Sequence, residues 1–596
     1  MRWALRTADE AIVRRLTSEL NLSPVVARLL VARGIYAPDH ALRFLTPSLA
    51  HLHSPYEMLG MKAAVERLQA AIANKEPVLI YGDYDVDGTT AVVILKTVIE
   101  LCGGVAQFHV PHRIRDGYGM KEDVIERAAA EGVRLIISVD TGIRAFAAAE
   151  TARRVGVDLI VTDHHLPETH EGVPHALAVL NPNQPGCGYP CKSLCGAGVA
   201  CKVAQALLES TGRERMLPSF IKMVAIATVA DSVPLIGENR VFTKIGLDGL
   251  RDPRNLGLKA ILEASQVDLA RPINTGEIAF RVAPRLNAAG RMDVAEDVIK
   301  LFSTHEAGEA RALAQKLSDL NTDRQQEEMR ILESIETTLR ERPELRDAYC
   351  ILVDGDGWHR GVIGITATRI VERYGRPTIV LSREGDEAHG SGRSIRGFHL
   401  LDALESCRDL FSRFGGHAAA VGLGLPCDRI PQLRAALDGY ARGRLTPDDF
   451  IPTLDYDADL SLADLSPNLY DAVQQLRPFG MGNPEPVFAA HGVKVTLPPR
   501  VIKDKHLKLR LAQNDGAART SSSNKSYAKS WQAMAWRMAD RVATDPLVVG
   551  DALEVAFTLE YNDHPDFGGL ELRLADYRRS QPREATIAAK GIGDSR

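Results

Sequence analysis

Cysteine is scarce, with 8 in 596 residues. That is too sparse for a disulfide scaffold, so a reducing, cytoplasmic setting is the default expectation. Long apolar runs are lacking as well. None approaches the ~18 residues that a membrane-spanning helix needs, so no membrane partner is expected. The first thirty residues, MRWALRTADEAIVRRLTSELNLSPVVARLL, carry acids and bases throughout, unlike the apolar stretch of a secretory signal. Charge of one sign is not in excess: 72 Lys and Arg stand against 77 Asp and Glu, a formal net charge of −5. That balance excludes a wholly basic nucleic-acid coat protein and leaves room for a local basic groove. Repeats of solenoid length are absent. What remains is a chain that is 45% hydrophobic, long enough for roughly four domains at about 150 residues each.

The pattern changes along the chain. Residues 1–60 read as a segment of short amphipathic helices, with Leu20, Val25, Leu29 and Leu30 among the apolar positions. From 61 to 255, the β-rich runs PVLIYGD, AQFHVPH, RLIISVD, DLIVTDH and HALAVLN alternate with helical stretches. That alternation predicts a parallel, doubly wound α/β sheet. Residues 256–345 have almost no strand signal, and Ala307 to Arg342 reads as a long helix or helix pair joining two lobes. A second α/β unit follows over 346–450, with AYCILVD, a helix across Gly364 to Tyr374, and RPTIVLS. From 451 to 578, the segments VFAAHGVKVT, HLKLRLA, ALEVAFTLEY and LELRLADY predict a small β-barrel, OB-like, interrupted by the polar loop ARTSSSNKSYAKS. Residues 579–596 read as a disordered tail.

The sharpest local signal is YGDYDVDG, between the apolar run VLI and a helical stretch. If the segment is extended, Asp83, Asp85 and Asp87 project to one side. Such crowding of like charge calls for a cation or for raised pKa values. Asp140 ends RLIISVD, Asp163 ends DLIVTD ahead of His164 and His165, and Asp231 ends the apolar helical run IKMVAIATVAD. Ligands in open α/β sheets bind beyond the carboxyl ends of the strands, where these groups would gather. One D-x-D alone is as easily a turn or a helix cap; four such groups at one predicted edge are harder to dismiss. Several carboxylates with one or two imidazoles and no thiolate suit Mn²⁺ or Mg²⁺ better than a structural zinc. There are enough ligands for two ions about 3.5–4 Å apart, as used for in-line attack on phosphate.

The pieces DYDVDG, VDTG, TDHH and VADSVPL resemble, in order, the four motifs of the DHH phosphoesterase superfamily. With HVPHRIRDGYG, APRLNAAGRM and FGGHAAAVGL, the chain over about 60–580 resembles the bacterial RecJ family of single-stranded-DNA exonucleases. The resemblance implies a DHH domain, a helical connector, a DHHA1 domain and an OB-like domain. It implies a 5′→3′ exonuclease that releases 5′-mononucleotides in DNA repair and recombination. Asp85 would hold one metal and Asp87 the other, Asp140 would bridge, and His164 and Asp231 would complete the second site. His165 would contact the scissile phosphate or assist proton transfer, with Asp163 orienting the histidines. Tyr81 stands where smaller superfamily members carry a metal-binding His, and Asp83 is the candidate substitute. Single-stranded DNA is the implied partner, with a single-strand-binding protein and a helicase besides, and the chain is expected to be a monomer.

Candidate contacts to the strand are Arg113 after the second predicted strand, Arg285 and Arg291 around LNAAG, Arg393, Ser394 and Arg396 in GSGRSIRG, and His417 after FGG. Glycine lets backbone N–H groups approach phosphate, and arginine binds it in a bidentate fashion. In HLKLRLA, Lys508 and Arg510 share a strand face, with Lys505 nearby; Trp531, Trp536, Phe557 and Tyr561 read mainly as barrel packing. Cys187, Cys191, Cys195 and Cys201 cluster in sequence, but their spacing does not fit the usual zinc pairs, and buried free thiols are expected. Two other readings stay open: a small-substrate phosphoesterase, which the extra domains disfavour, and a non-catalytic relic, which intact motifs disfavour.

Overall fold

The five β-rich runs of residues 61–255 fold as strands. In the computed structural model, which describes residues 1–168, 171–292, 294–513, 529–562 and 568–580, they are β1 (Pro77–Gly82), β2 (Val105–His109), β3 (Leu135–Val139), β4 (Asp158–Thr162) and β5 (Ala178–Leu180). All pairings are parallel, in the order β2-β1-β3-β4-β5. Every residue of β3 is buried, which is why its sequence is continuously apolar rather than alternating. Helix α1 (Val86–Leu101) follows β1, and α2 (Gly196–Ser210) and α3 (Leu217–Ala230) pack against it in one core. Beside that core, Lys202 and Glu238 pair at 3.0 Å with no side-chain exposure. Further bonds from Lys202 to the carbonyl of His53 and from Tyr189 to Glu238 satisfy them. Removing one partner would strand a buried charge at a cost of about 3–5 kcal/mol.

This parallel sheet belongs to a unit of Thr46–Pro452 with Pro478–Pro484. The same unit contains α4 (Ala283–Met292), entered through a π-helical turn at Ile278–Val282, and α5 (Ala307–Glu341). The second of these is one helix of 35 residues rather than a pair. Its first half sends Ala310, Ala314 and Leu317 into the core of the parallel sheet, and its second half sends Ile331, Ile335 and Leu339 into another core. Between them lies a buried polar belt in which Arg324 bonds Asn321 and Glu328.

The second core supports β6 (Ile351–Asp356), α6 (Ile363–Tyr374), β7 (Thr378–Glu384), β8 (Glu387–Arg393), β9 (Arg413–Gly416) and β10 (Ala420–Pro426). Their order is β9-β10-β8-β7-β6, with β6 and β7 parallel and the rest antiparallel.

The other unit comprises Met1–Leu45, Thr453–Arg477 and Glu485–Arg596. Strands Phe488–Val495, Ala552–Asn562, Gly569–Arg579, Trp531–Ala535 and His506–Gln513 pair in that order, and the last pairs back to the first. This closed ring of five strands is the OB-type barrel. One pair in it, Trp531–Ala535 with Gly569–Arg579, is parallel. The purely helical reading of residues 1–60 needs correcting: Arg2–Leu5 is a strand, parallel to Thr453–Tyr456. Four residues carry too little alternation to announce a strand whose partner lies some 450 positions away. The expected polar loop falls largely, and the expected tail almost wholly, outside the described residues.

Candidate metal centre and nucleic-acid interface

The carboxylates gather at the carboxyl ends of the strands. Asp83 follows β1, Asp140 follows β3, Asp163 follows β4, and Asp231 caps the C-terminus of α3. The segment holding Asp83, Asp85 and Asp87 is not extended, so alternation is not what groups them. Asp85 is the N-cap of α1, its Oδ1 accepting from the Gly88 N–H at 3.0 Å, and Asp87 lies in the first helical turn. The turn of chain into the helix therefore splits the triad between two groups. Ligand atoms of Asp83, Asp85 and Asp140 lie within 4.8 Å of one another, as do those of Asp87, His164 and Asp231. Asp140, His164 and His165 form a third such group between them. His164 Nε2 stands 3.2 Å from Asp140, 3.8 Å from Asp231 and 3.9 Å from Asp87.

Several members are held from behind. The first N–H groups of α2, from Gly196 at 2.5 Å and Ala197 at 2.8 Å, donate to the two oxygens of Asp87, where the helix dipole favours negative charge. Asp140 has a left-handed backbone, φ +59°, a conformation that costs a non-glycine residue about 1–2 kcal/mol. Its side chain lies so close to α2 that a Cβ on Gly196 would stand 2.6 Å from Asp140 Cβ and 2.7 Å from its Oδ1. Asp163 is fully buried. Its Oδ1 accepts from the N–H groups of His164 and His165 and meets His165 Nδ1 at 2.7 Å, while its Oδ2 accepts from the Ile143 N–H. Asn181 and Asn183 donate to the carbonyls of His165 and His164.

The electrostatics describe a cation site. Burial and then the neighbouring Asp87, Asp85, Asp83 and Asp231 push the Asp140 carboxyl well above the usual range. Burial and Asp85 do the same to Asp83, and burial with Asp87 and Asp85 holds Asp231 up to about 9. Asp83 Oδ1, Asp140 Oδ1 and Asp231 Oδ2 are buried without a hydrogen bond. Buried polar atoms normally find partners, and three orphaned carboxylate oxygens spread over two adjoining groups that share Asp140 and His164 as neighbours fit divalent cations. Mostly oxygen donors, with one or two imidazoles on the His164 side, suit Mn²⁺ or Mg²⁺. A thiol does stand beneath the site: Cys195 Sγ is 3.6 Å from Thr228 Oγ1. Burial, then Asp87 and Asp231, push the Cys195 thiol far up, so it stays protonated. The four clustered cysteines are all buried and free.

His165 behaves differently. Burial alone would lower it, but the hydrogen bond and charge of Asp163 outweigh burial and hold it at about 9. Tyr118, which the sequence did not single out, brings its hydroxyl to 3.5 Å from His165 Nδ1 and from the Asp140 carbonyl.

The basic candidates divide. Arg113 stacks over the Tyr84 ring at 4.7 Å. Burial, then Arg113, Arg324 and Arg393, lower Arg291 to about 9, with Asp85 opposing, so three other guanidinium groups face Arg291 on the side of the first carboxylate group. Arg291 also donates to the Gly361 carbonyl at 2.9 Å, and Arg393 to Ser391 and the Gly392 carbonyl. His417 is lowered by burial, then by Arg144 and His165, which places it on the histidine side of the cluster. Ser394 is turned inward, its hydroxyl donating to the Phe398 carbonyl. Arg285 is engaged with Ser318 and the Arg281 carbonyl. Arg396 is exposed. Lys508 and Arg510 share the outward face of a barrel strand in the other unit.

The first two glycines of GSGRSIRG do not open the backbone to phosphate. A Cβ on Gly390 would strike Leu381 and Leu423, and one on Gly392 would strike Val421 and Leu400, so both serve packing. Among the aromatics, Trp531 and Phe557 are core, whereas Trp536 and Tyr561 are each 48% exposed. Asn287 is a further residue the sequence left unassigned, its Oδ1 accepting from the Val86 N–H at 3.2 Å.

Family models match the chain in three places: the DHH family N-terminal domain over residues 77–228, the DHHA1 domain over 347–443 and the RecJ OB domain over 456–576. The single-stranded-DNA-specific exonuclease RecJ of Bacillus subtilis is 40% identical over 489 residues, covering 82% of this chain and 61% of its own length. The chain thus spans about three fifths of that relative. The Escherichia coli protein of the same name is 35% identical over 82% of this chain and 86% of its own. A crystal structure of Thermus thermophilus RecJ with Mn²⁺ matches with a TM-score of 0.81 at 28% identity, over 98% of this chain and 80% of that one. The corresponding Mg²⁺ complex gives 0.75 at 26% identity, over 98% and 79%.

Proposed function

This chain belongs to the RecJ family of single-stranded-DNA-specific exonucleases, and on that premise we propose that it hydrolyses single-stranded DNA at the carboxylate and imidazole cluster. It removes 5′-mononucleotides from the 5′ end, in repair and recombination; the polarity follows the family resemblance. The observation that carries the reading is the pair of orphaned carboxylate oxygens, from Asp140 and Asp231, beside His164, with a third on Asp83 in the adjoining group. Asp83, Asp85 and Asp140 would hold one Mn²⁺ or Mg²⁺, and Asp87, His164 and Asp231 the other. Such a pair supplies charge neutralisation at phosphorus and lowers the pKa of an attacking water.

The chain's own groups do the rest. Asp163 takes Nδ1 of His165, which leaves Nε2 to meet a phosphate oxygen. A pKa of about 9 keeps that imidazole cationic at neutral pH, where a fixed positive charge stabilises developing negative charge. Arg113, Arg291, Arg393 and His417 hold phosphates near the centre, Arg285 and Arg396 extend the track, and Ser394 braces its loop. Lys508 and Arg510 give the barrel a backbone contact of its own. A small-substrate phosphoesterase would need neither the arginine groups nor the barrel.

The working division is an N-terminal segment to residue 60, a catalytic domain to 255, a connector to 345, a second lobe to 450 and a barrel to 578. A monomer in the cytoplasm, working beside a single-strand-binding protein and a helicase, completes the proposal; among the described residues no helix is long and apolar enough to cross a membrane. Digestion of 5′- and 3′-labelled single strands and of a dinucleotide, with Mn²⁺, Mg²⁺ or chelator, tests it. Early release of the 5′ label as a mononucleotide supports the reading. Preference for the dinucleotide, or activity in chelator, overturns it.

A further inference from the structure

Phe280 is 82% exposed, the highest value for a large apolar side chain among the described residues. It sits at the middle of the π-helical turn Ile278–Val282, whose end residues are both fully buried. The turn is therefore anchored on either side of the ring it presents to water. Single π-turns break the regular helical ladder and recur at functional positions.

The direction of that ring is informative. Counting from Phe280 by helical spacing, Pro284, Asn287 and Arg291 fall at i+4, i+7 and i+11, one face of the helix. All three are half-buried. The far end of this face is the metal centre itself, because Asn287 accepts from the Val86 N–H beside Asp85 and Arg291 reaches Gly361 of the second lobe. Seven residues at 1.5 Å each put Phe280 about 10 Å along the helix from Asn287. Arg281 and Arg285 stand close to Phe280 in sequence. Their guanidinium groups are held by the Gln266 carbonyl, by Ser318 and by the Arg281 carbonyl. Proteins that hold single strands use this pairing, with guanidinium groups along the phosphates and exposed ring faces under the bases. A protein-docking surface would instead surround the ring with further apolar side chains.

We propose that Phe280 is a base-stacking platform for the single strand, two helical turns from the metal centre, with Arg281 and Arg285 holding the adjoining phosphates. The proposal rests on the exonuclease reading for its substrate class.

The test compares a twenty-nucleotide oligodeoxythymidylate with the dinucleotide pTpT, which is too short to reach both sites. Phe280→Ala is expected to raise KM about tenfold for the long strand, in the range seen for loss of one stacked base. It should leave kcat on the long strand and KM for pTpT unchanged. Phe280→Trp should restore KM, and Phe280→Leu, equally apolar but without a π-face, should not. An unchanged KM in Phe280→Ala, an equal rise on pTpT, or rescue by leucine would each overturn the proposal. Binding of the labelled long strand is read separately by anisotropy in an Asp140→Asn background. If the wild-type chain hydrolyses no strand yet binding still depends on an aromatic at 280, the exonuclease reading fails and the platform stands. If binding is indifferent to residue 280, the platform fails alone.

Discussion

Replacing Gly196 by alanine should cost this protein most of its activity and little of its stability. The backbone at Gly196 is helical, so alanine meets no conformational penalty, and its N–H can still donate to Asp87. The added methyl is the problem. It would arrive 2.6 Å from Asp140 Cβ, 2.7 Å from Oδ1 and 2.8 Å from Cγ, where carbon atoms normally settle at about 3.5–4.0 Å. The carboxylate must retreat by about an ångström, and a displacement of that size at a reacting centre costs about a hundredfold. Overpacking destabilises by about 1–3 kcal/mol, offset by about 0.4–1 kcal/mol from the stiffer unfolded chain. The expected result is a hundredfold or larger fall in kcat/KM on labelled single strands, weaker Mn²⁺ binding by calorimetry, and a melting temperature within a few degrees of wild type. Gly198→Ala is the control: its nearest neighbours would be Leu194 at 3.3 Å and Cys195 Sγ at 3.7 Å, and activity should hold. Activity of Gly196→Ala within about threefold of wild type would refute the claim that α2 fixes the position of Asp140.

Asp140→Asn should lower hydrolysis by at least about 10²–10³-fold. The cation-free variant should melt no lower than wild type, because asparagine replaces a carboxyl that the fold tolerates only in its protonated form; a drop in melting temperature would contradict that. Stability without cations should also depend on pH. Asp231 is held up to about 9 and Asp140 is raised well above the ordinary carboxyl range, so the folded chain keeps protons that the unfolded chain sheds. Its stability is therefore fullest below the ordinary carboxyl range and drains away as pH climbs toward 9. Mn²⁺ takes the place of those protons, so its gain in melting temperature should be larger near about pH 8 than near about pH 6; equal gains would tell against the cluster. Arg396→Ala should raise KM and flatten the plot of log affinity against log salt by about 0.7 for each phosphate charge it no longer neutralises. An unchanged slope removes Arg396 from the phosphate track.

Much of the fold was legible because the central parallel strands β1, β3 and β4 are buried on both faces and so read as apolar runs closed by aspartate. The grouping of Asp83, Asp85, Asp87, Asp140, His164 and Asp231 was legible for a related reason: strand ends in an open sheet share one edge. What sequence misjudged was the local path. Capping by Asp85 begins the helix earlier than an extended reading allows. The supports were also hidden, because Gly196, Asn181, Asn183 and Asn287 act through backbone atoms brought from elsewhere in the chain, and composition carries no trace of that. The Arg2–Leu5 strand and the closure of the barrel depend on pairings between segments remote in sequence, which no local periodicity can encode.

Helix α5 acts as a calliper. From Ala310 to Leu339 it measures about 44 Å, one jaw set in each core, with the Asn321, Arg324 and Glu328 belt at the pivot. The gap facing the metal centre is thus a covalent dimension, fixed by residue count before any strand arrives. One residue inserted at the belt would swing the far jaw by about 100°, carrying Arg393 and His417 out of register with the carboxylates while leaving both cores intact.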